Sequence, residues 1–407
     1  MTVAALELLS FGLARIVRAA DDAGHRLCLL TQDRAVYRHE LDQLPEGALD
    51  IVDIDTLDTA ACAAALGAIP DLGGLINSTD TFSVAAADIA AGLGLPGPDP
   101  AAVRLVRDKL RVRQALHAKG LSRLVAHAVP PAPEGAAVVL ATVGLPAVLK
   151  DTSGTSSRGV WLVRDERALR AALDAASRTP LKGRLLAEPL VAGPVYSAET
   201  LSWEGETRLL GVTSRQMSPE PAGREEVASF PVALPADEAA RVAAWVGDLL
   251  AAVGHEGFGH VEFVLTGEGP ELVEINRRIG GAMVGEALCR RLGTNVYDAL
   301  VDTALGRRPA LLDGDAAPGS GPGPATAFAL VYPERPGRLT GWSGLDALAT
   351  FPGSPEWYPT AAPGDAVEHL TDQRGCTGIV LAEGATAELA LHRALSAAGS
   401  VRPLMAG

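Results

Sequence analysis

Short apolar runs and amphipathic stretches alternate over the first 95 residues. Residues 3–10 (VAALELLS), 25–32 (HRLCLLTQ), 49–55 (LDIVDID) and 72–79 (LGGLINST) read as strands, and 11–24, 56–66 and 82–93 read as the helices between them. Parallel neighbours need crossovers, and both faces of their sheet need cover, so this rhythm predicts an open parallel α/β unit. The Pro-rich stretch 96–100 (PGPDP) stops regular structure. One helix is expected from about 101 to 120, followed by mixed helices and hairpins to about 310. Residues 313–325 (DGDAAPGSGPGPA) have the composition of a linker. The remainder reads as short strands and a final helix from about Ala385. The expected organisation is a mixed α/β and α+β chain with three regions: 1–95, 96–312 and a β-rich 326–407.

One hairpin stands out. In GHVEFVLTGEGPELVEINRRIGG, residues 259–281, HVEFVL and ELVEIN read as strands around the turn TGEGP. A hairpin centred on Glu268 places Glu262 opposite Glu274 and His260 opposite Asn276, with all four side chains on one face. Like charges placed opposite each other destabilise a sheet. A hard divalent cation between them removes that penalty, and Asn276 offers a third oxygen. With Arg278 just beyond, this is the donor set of a Mg2+ ion that also holds phosphates.

Other segments carry candidate chemistry. In LPAVLKDTSGTSSRGVWLV (145–163) a strand delivers Lys150 to a loop of small residues, and a second strand follows. Ser153, Gly154, Thr155, Ser156, Ser157 and Gly159 can expose successive N–H groups and hydroxyls as an anion-binding nest, with Arg158 and Lys150 adding positive charge. No Gly-Lys-Ser/Thr follows, so this is not a Walker A loop. In LLAEPLVAGPVYSAETL (185–201) a strand ends at Glu188 and runs into a connector that can read an adenine edge. The helix after Pro100 carries Arg107, Asp108 and Lys109.

The chain has 407 residues and a net charge of −14, which argues against nucleic acid or an anionic membrane as main partner. Cys28, Cys62, Cys289 and Cys376 form no CxxC pair and read as reduced thiols. The start MTVAALELLSFG has no basic region or small-residue cleavage site, and no apolar run reaches the roughly 18 residues of a membrane span. A cytoplasmic location is expected.

Taken in order, these elements resemble the ATP-grasp superfamily over about residues 96–310. The pattern stands here as Arg107-Asp108-Lys109, Lys150 with the 153–159 loop, Glu188 to Leu190, Gly257 with His260, Glu262 and Phe263, and Glu274, Asn276, Arg278, Gly280 and Gly281. Within the superfamily the chain is similar to the biotin-carboxylase-like carboxylate–amine ligases, including bacterial L-amino-acid (dipeptide) ligases. The stretch RGCTGIVLAEGATAELALHRAL resembles their β-rich end domain. The resemblance implies an ATP-grasp fold. It also implies ATP with Mg2+ (Mn2+ as the alternative cation), and a small carboxylic acid and an amine as substrates. Lys109 and Lys150 would neutralise phosphates, the loop would close over them, and Glu188 and Leu190 would hold adenine. Glu262, Glu274 and Asn276 would hold the metal, and Arg278 would bind the acid's carboxylate. Three positions depart from the pattern: Asp151 and Arg277 stand where prolines are usual, and Val195 where many relatives have a ribose-binding Glu. Glu199 is then the alternative ribose contact. Asp80, Arg215, Glu225 and His260 are further substrate-facing candidates with a poorer match. The competing readings are a purine-pathway carboxylase or transformylase, a biotin carboxylase and a non-catalytic nucleotide-binding regulator. A homodimer is left open.

Overall fold

The first sheet follows its hydrophobic pattern. In the computed structural model, which describes residues 1–155, 158–219, 223–314 and 317–406, four parallel strands lie in the order Asp50–Asp53, Arg26–Thr31, Thr2–Leu6, Leu72–Ile76. Helices Leu13–Asp22, Thr59–Gly67 and Ser83–Gly92 cover them. The first strand stops at Glu7, whose φ of 50° breaks the extended run. Its buried carboxylate accepts from Thr31 and Thr56 hydroxyls (both 2.9 Å), the Tyr37 hydroxyl (2.7 Å) and the Gln32 amide (2.8 Å). That set of bonds ties down the carboxyl ends of neighbouring strands. The loops leaving those ends carry Leu9, Ser10, Phe11 and Asp80 to a large cavity, as open parallel sheets do with their ligand-facing residues.

The single helix expected over 101–120 is two helices, Pro100–Arg107 and Lys109–Ala118. Asp108 sits between them at φ −97°, ψ 97°, and its Oδ1 accepts from the Leu110 and Arg111 amides at 3.1 Å each. Asp is among the best N-caps, so it starts a new helix where the apolar periodicity alone shows none. The break frees the Lys109 amide to bond Thr152 O (3.0 Å) and brings its side chain to the cavity.

A second, antiparallel sheet has the order His127–Ala128, Leu185–Pro189, Ala147–Asp151, Val160–Val163 and is backed by helices Gly135–Thr142 and Glu166–Arg178. The largest sheet is antiparallel with eight strands. Its order is Gly269–Asn276, Gly257–Thr266, Val195–Trp203, Glu206–Met217, Glu225–Phe230, Ala325–Val331, Gly378–Gly384, Glu356–Pro359. The last three strands thus continue the sheet that carries the acidic hairpin, joined where Val227 pairs with Ala329 and Phe230 with Thr326. Helix Ala236–Ala252 packs on one end of this sheet and helix Ala387–Ala398 on the other. A small three-stranded sheet, Ala366–Val367, Gly337–Ser343, Arg402–Ala406, completes the C-terminal region.

The hairpin register is as expected where it matters: Glu262 pairs with Glu274 and His260 with Asn276. The path to it is not a plain hairpin centred on Glu268. Thr266 pairs with Gly269, and a bulge at Val273 restores the register, since Phe263 already pairs with Leu272. A bulge adds one residue to one strand and re-aims its neighbours. Here it also turns the Val273 carbonyl to Lys150 Nζ at 3.1 Å, bonding the hairpin to the second sheet.

Candidate active site

A cavity of about 1130 Å3 lies between the second sheet, the hairpin and the loops of the first sheet, with the C-terminal turn Gln373–Gly375 on its far wall. Lys109, Lys150, Gly154, Thr155, Glu188, Leu190, Arg215, Glu225, His260, Glu262, Glu274, Asn276, Arg278 and Asp80 all line it. Ser153, Gly159 and Glu199 do not. Ser156 and Ser157 lie outside the described residues.

The facing carboxylates are relieved by protein cations. Glu262 Oε1 pairs with Arg215 Nη1 and lies 3.5 Å from His260 Nε2. Glu274 Oε1 pairs with Lys109 Nζ at 2.8 Å, and that same nitrogen donates to Gly154 O at 2.7 Å. Burial alone would raise the Glu262 pKa, but Arg215 and His260 outweigh it and hold the carboxyl well below its usual range. Each Glu keeps its Oε2 unpartnered among the described residues. Asn276 donates its amide nitrogen to His260 O (3.4 Å), and its oxygen has no partner among the described residues. Among the described residues no group of three or more His, Cys, Asp or Glu side chains is placed to hold a metal ion by itself. Two open carboxylate oxygens and one amide oxygen on a single strand face nevertheless suit a hard cation that completes its shell with water and phosphate.

His260 is a braced cation. Its Nδ1 meets Glu199 Oε2 at 2.9 Å, and Glu199 Oε1 accepts from the Ser197 and Thr213 hydroxyls at 2.8 Å each. Burial would lower the imidazole pKa, but Glu199 and Glu262 push it up to about 9. Glu199 is 1% exposed and fully engaged behind His260, so the ribose contact expected of it is not made by this geometry. Gly280 lets the ring approach: a Cβ there would lie 2.7 Å from His260 Nδ1.

The second sheet contributes a closed cluster. Lys150 Nζ pairs with Glu188 Oε1 at 2.6 Å, and Arg113 Nη2 pairs with Glu188 Oε2 at 3.0 Å. Arg113 also meets Glu271 Oε1 at 3.3 Å, which accepts the Ser122 hydroxyl at 2.6 Å. Burial would raise the Glu188 pKa, but Arg113 and Lys150 hold it below the usual range. Both Glu188 oxygens are taken, so an adenine amine finds no free carboxylate there. The Leu190 amide is also engaged, on Pro146 O at 3.0 Å. Arg113 was legible as a neighbour of Lys109, four residues on along one helix face, but no sequence spacing links it to Glu188.

The nest expected at the 153–159 loop is partly filled. The Ser153 and Gly154 amides bond Asp151 Oδ1 (2.9 Å) and Asp151 O (3.3 Å). Asp151 Oδ1 also accepts the Gly183 amide (3.0 Å), and Oδ2 accepts the Lys182 amide (2.6 Å), so the residue replacing the usual proline braces the loop. Arg278 is not on the hairpin strand, which ends at Asn276. It lies in the following turn, with Nε 2.7 Å from Asp80 Oδ2 and Nη1 3.0 Å from Ile279 O. Arg215 and Glu225 pair with each other at 3.1 Å, and Gln373, absent from the expectations, reaches Glu225 Oε2 at 3.2 Å.

Residues 143–286 match the family described as ATP-grasp domain, and 329–406 match L-amino acid ligase C-terminal domain 2. Residues 143–286 are thus an ATP-grasp domain. The uncharacterized protein y4rH of Sinorhizobium fredii is 28% identical over 363 residues, which are 87% of this chain and 72% of that one. Human carnosine synthase 1 is 32% identical over 260 residues, 59% of this chain but only 31% of the longer protein. The fold superposes on the crystal structure of L-amino acid ligase from Bacillus licheniformis with a TM-score of 0.82 at 19% identity, covering 100% of this chain and 99% of that one.

Proposed function

We propose that this protein is an ATP-dependent carboxylate–amine ligase that joins an amino acid or related acid to an amine, releasing ADP and phosphate. The observation that carries the reading is the convergence, in one cavity, of the hairpin's two open carboxylate oxygens and Asn276 with Lys109, Lys150 and Arg278. The match at residues 329–406 favours amino-acid ligation over purine-pathway or biotin carboxylation. A regulator that merely bound nucleotide would not need the open acidic face.

Glu262, Glu274 and Asn276 would hold Mg2+, which when bound neutralises charge on the transferring phosphoryl group. Lys109 is poised between Glu274 and the loop carbonyl of Gly154, so it can bond a phosphate while keeping the loop in place. Lys150 is held by Glu188 and the Val273 carbonyl, a fixed point charge beneath the phosphates. Arg278 would orient the acid's carboxylate for attack on the γ-phosphate, giving an acyl-phosphate and ADP. The amine then attacks the acyl carbon and phosphate leaves, forming the amide. In such transfers most of the rate comes from positioning and electrostatic stabilisation. Apolar Val148, Leu190 and Leu272 offer a slot for the purine. Among the described residues no helix is long and apolar enough to cross a membrane, and all four cysteines are free and buried, in keeping with a reducing cytoplasm.

The test is ADP release with Mg2+-ATP over amino acids offered singly and in pairs. Release that needs one acid plus one amine, with the amide found by mass spectrometry, supports the reading. ADP release that depends on bicarbonate overturns it.

A further inference from the structure

The carboxylates lining the cavity divide into closed and open ones. Among the described residues, Asp151, Glu188, Glu225 and Glu271 have both oxygens partnered by protein groups. Glu262, Glu274 and Asp80 each have one oxygen paired and keep the other without a partner among the described residues. The cation accounts for the open oxygens of Glu262 and Glu274, but not for Oδ1 of Asp80. Arg278 is open in the matching way. Its Nε is held by Asp80 and its Nη1 by Ile279 O, while Nη2 has no partner among the described residues. The two side chains are only 15% and 10% exposed, and both line the cavity.

An anionic oxygen and a guanidinium nitrogen that no described protein group engages, side by side on a cavity wall, are open to a ligand that completes both. The chemical group that completes an adjacent anion and cation is a zwitterion: a carboxylate for the guanidinium and an ammonium for the carboxylate. Asp80 is built to stay where it is. It follows the strand Leu72–Ile76, and its carbonyl accepts the Ser83 hydroxyl at 2.9 Å at the start of the next helix.

We infer that Asp80 is a specificity-determining residue, binding the α-ammonium group of the amino acid whose carboxylate lies on Arg278. The inference rests on the ligase reading above. It carries a chemical consequence. An amine held as an ammonium on Asp80 has no lone pair, so the activated acid cannot serve as its own nucleophile, and the direction of coupling is set by the first substrate's position.

The test traps the acyl-phosphate with hydroxylamine in place of the amine and reads hydroxamate. Each L-amino acid is compared with its 2-hydroxy analogue: L-alanine with L-lactate, L-leucine and L-phenylalanine with theirs. The wild type should favour the amino member by about 100-fold or more in kcat/KM. Asp80→Asn should lower that preference by about 10- to 100-fold, mainly through KM for the amino acid. If Asp80 merely held Arg278, both members of a pair would fall together and the preference would stand, which overturns the inference. Equal use of both members by the wild type overturns it without any variant. Mg2+-ADP affinity checks the fold of Asp80→Asn, and Asp80→Glu repeats the comparison should that variant fail to bind. Absence of hydroxamate with every acid, while Mg2+-ADP still binds, sinks the ligase reading itself.

Discussion

The hairpin and the second sheet handle buried charge in opposite ways. On the hairpin two anions face each other, and each takes one cation from a different element: Arg215 from Glu206–Met217, two strands away in the sheet, for Glu262, and Lys109 from a helix for Glu274. Each keeps an oxygen free of partners among the described residues. On the second sheet Lys150 and Glu188 sit on paired strands and close completely with Arg113. The difference separates two roles. A charge cluster with every atom engaged holds its members in place, whereas one with matched open atoms is waiting for a ligand. Asp80 and Arg278 belong with the open kind.

The strongest way to break this comparison is on the hairpin. Glu274→Gln or Glu262→Gln should cut ADP formation by at least about 1000-fold, since each removes a metal oxygen where charge develops. Simple relief of like-charge repulsion would have stabilised the apo protein. Because each Glu is paired with a buried cation, these variants should instead unfold at lower temperature, and calorimetry beside the ADP assay checks both. Glu274→Gln with normal Mg2+ dependence would remove the metal role.

On the closed cluster the main effect should be on stability. Glu188→Gln leaves Arg113 and Lys150 short of a counter-charge and should cost about 3–5 kcal/mol at pH 7. The Glu188 pKa is depressed in the fold. Its stabilisation is therefore present in full above the unfolded value of about 4.3 and is lost as pH falls through the lower folded value. The gap between wild type and variant should accordingly narrow below about pH 4. A gap that widens on acidification contradicts the closed-cluster account.

Arg278→Lys sharpens the contrast at the open pair. It keeps the charge but loses the planar fork, and should cost about 2–3 kcal/mol in kcat/KM for the acid. Nucleotide affinity should change little. Steady-state kinetics for each substrate beside an ADP titration decides, and weakened ATP binding with normal handling of the acid would move Arg278 to the nucleotide site.

The smallest effect is expected in the 153–159 loop. Small residues offer few apolar anchors, so amide exchange at Thr155 and Gly159 should slow when Mg2+-ADP binds. The gain should be modest at Ser153 and Gly154. Their carbonyls already accept from Arg107 Nη2 (3.1 Å) and Lys109 Nζ (2.7 Å), and their amides already donate to Asp151 Oδ1 and Asp151 O. Equal exchange with and without saturating nucleotide would argue against a phosphate cover.

Much of this was legible in the chain because periodicity is a local property. The parallel sheet, the acidic register of the hairpin and the Lys150 strand follow from spacing of 2 or 3.6 residues and from turn chemistry. The helix break at Asp108 was missed because a cap is a single side chain inside an otherwise continuous pattern. The bulge at Val273 was missed because an extra residue changes register only relative to its partner strand.

By itself the sequence determined which residues could carry the chemistry: two facing glutamates, an amide, two lysines and an arginine at spacings that local geometry resolves. Only the tertiary structure decided which of them are already satisfied. It buried Glu199 behind His260, closed Glu188 between Lys150 and Arg113, and set Asp80 against Arg278 from 198 residues away. The reason is physical. Side-chain identity and face are set by near neighbours, but whether a buried charge is paired or open depends on cations and anions that other strands and helices bring to it, and no local spacing encodes that meeting.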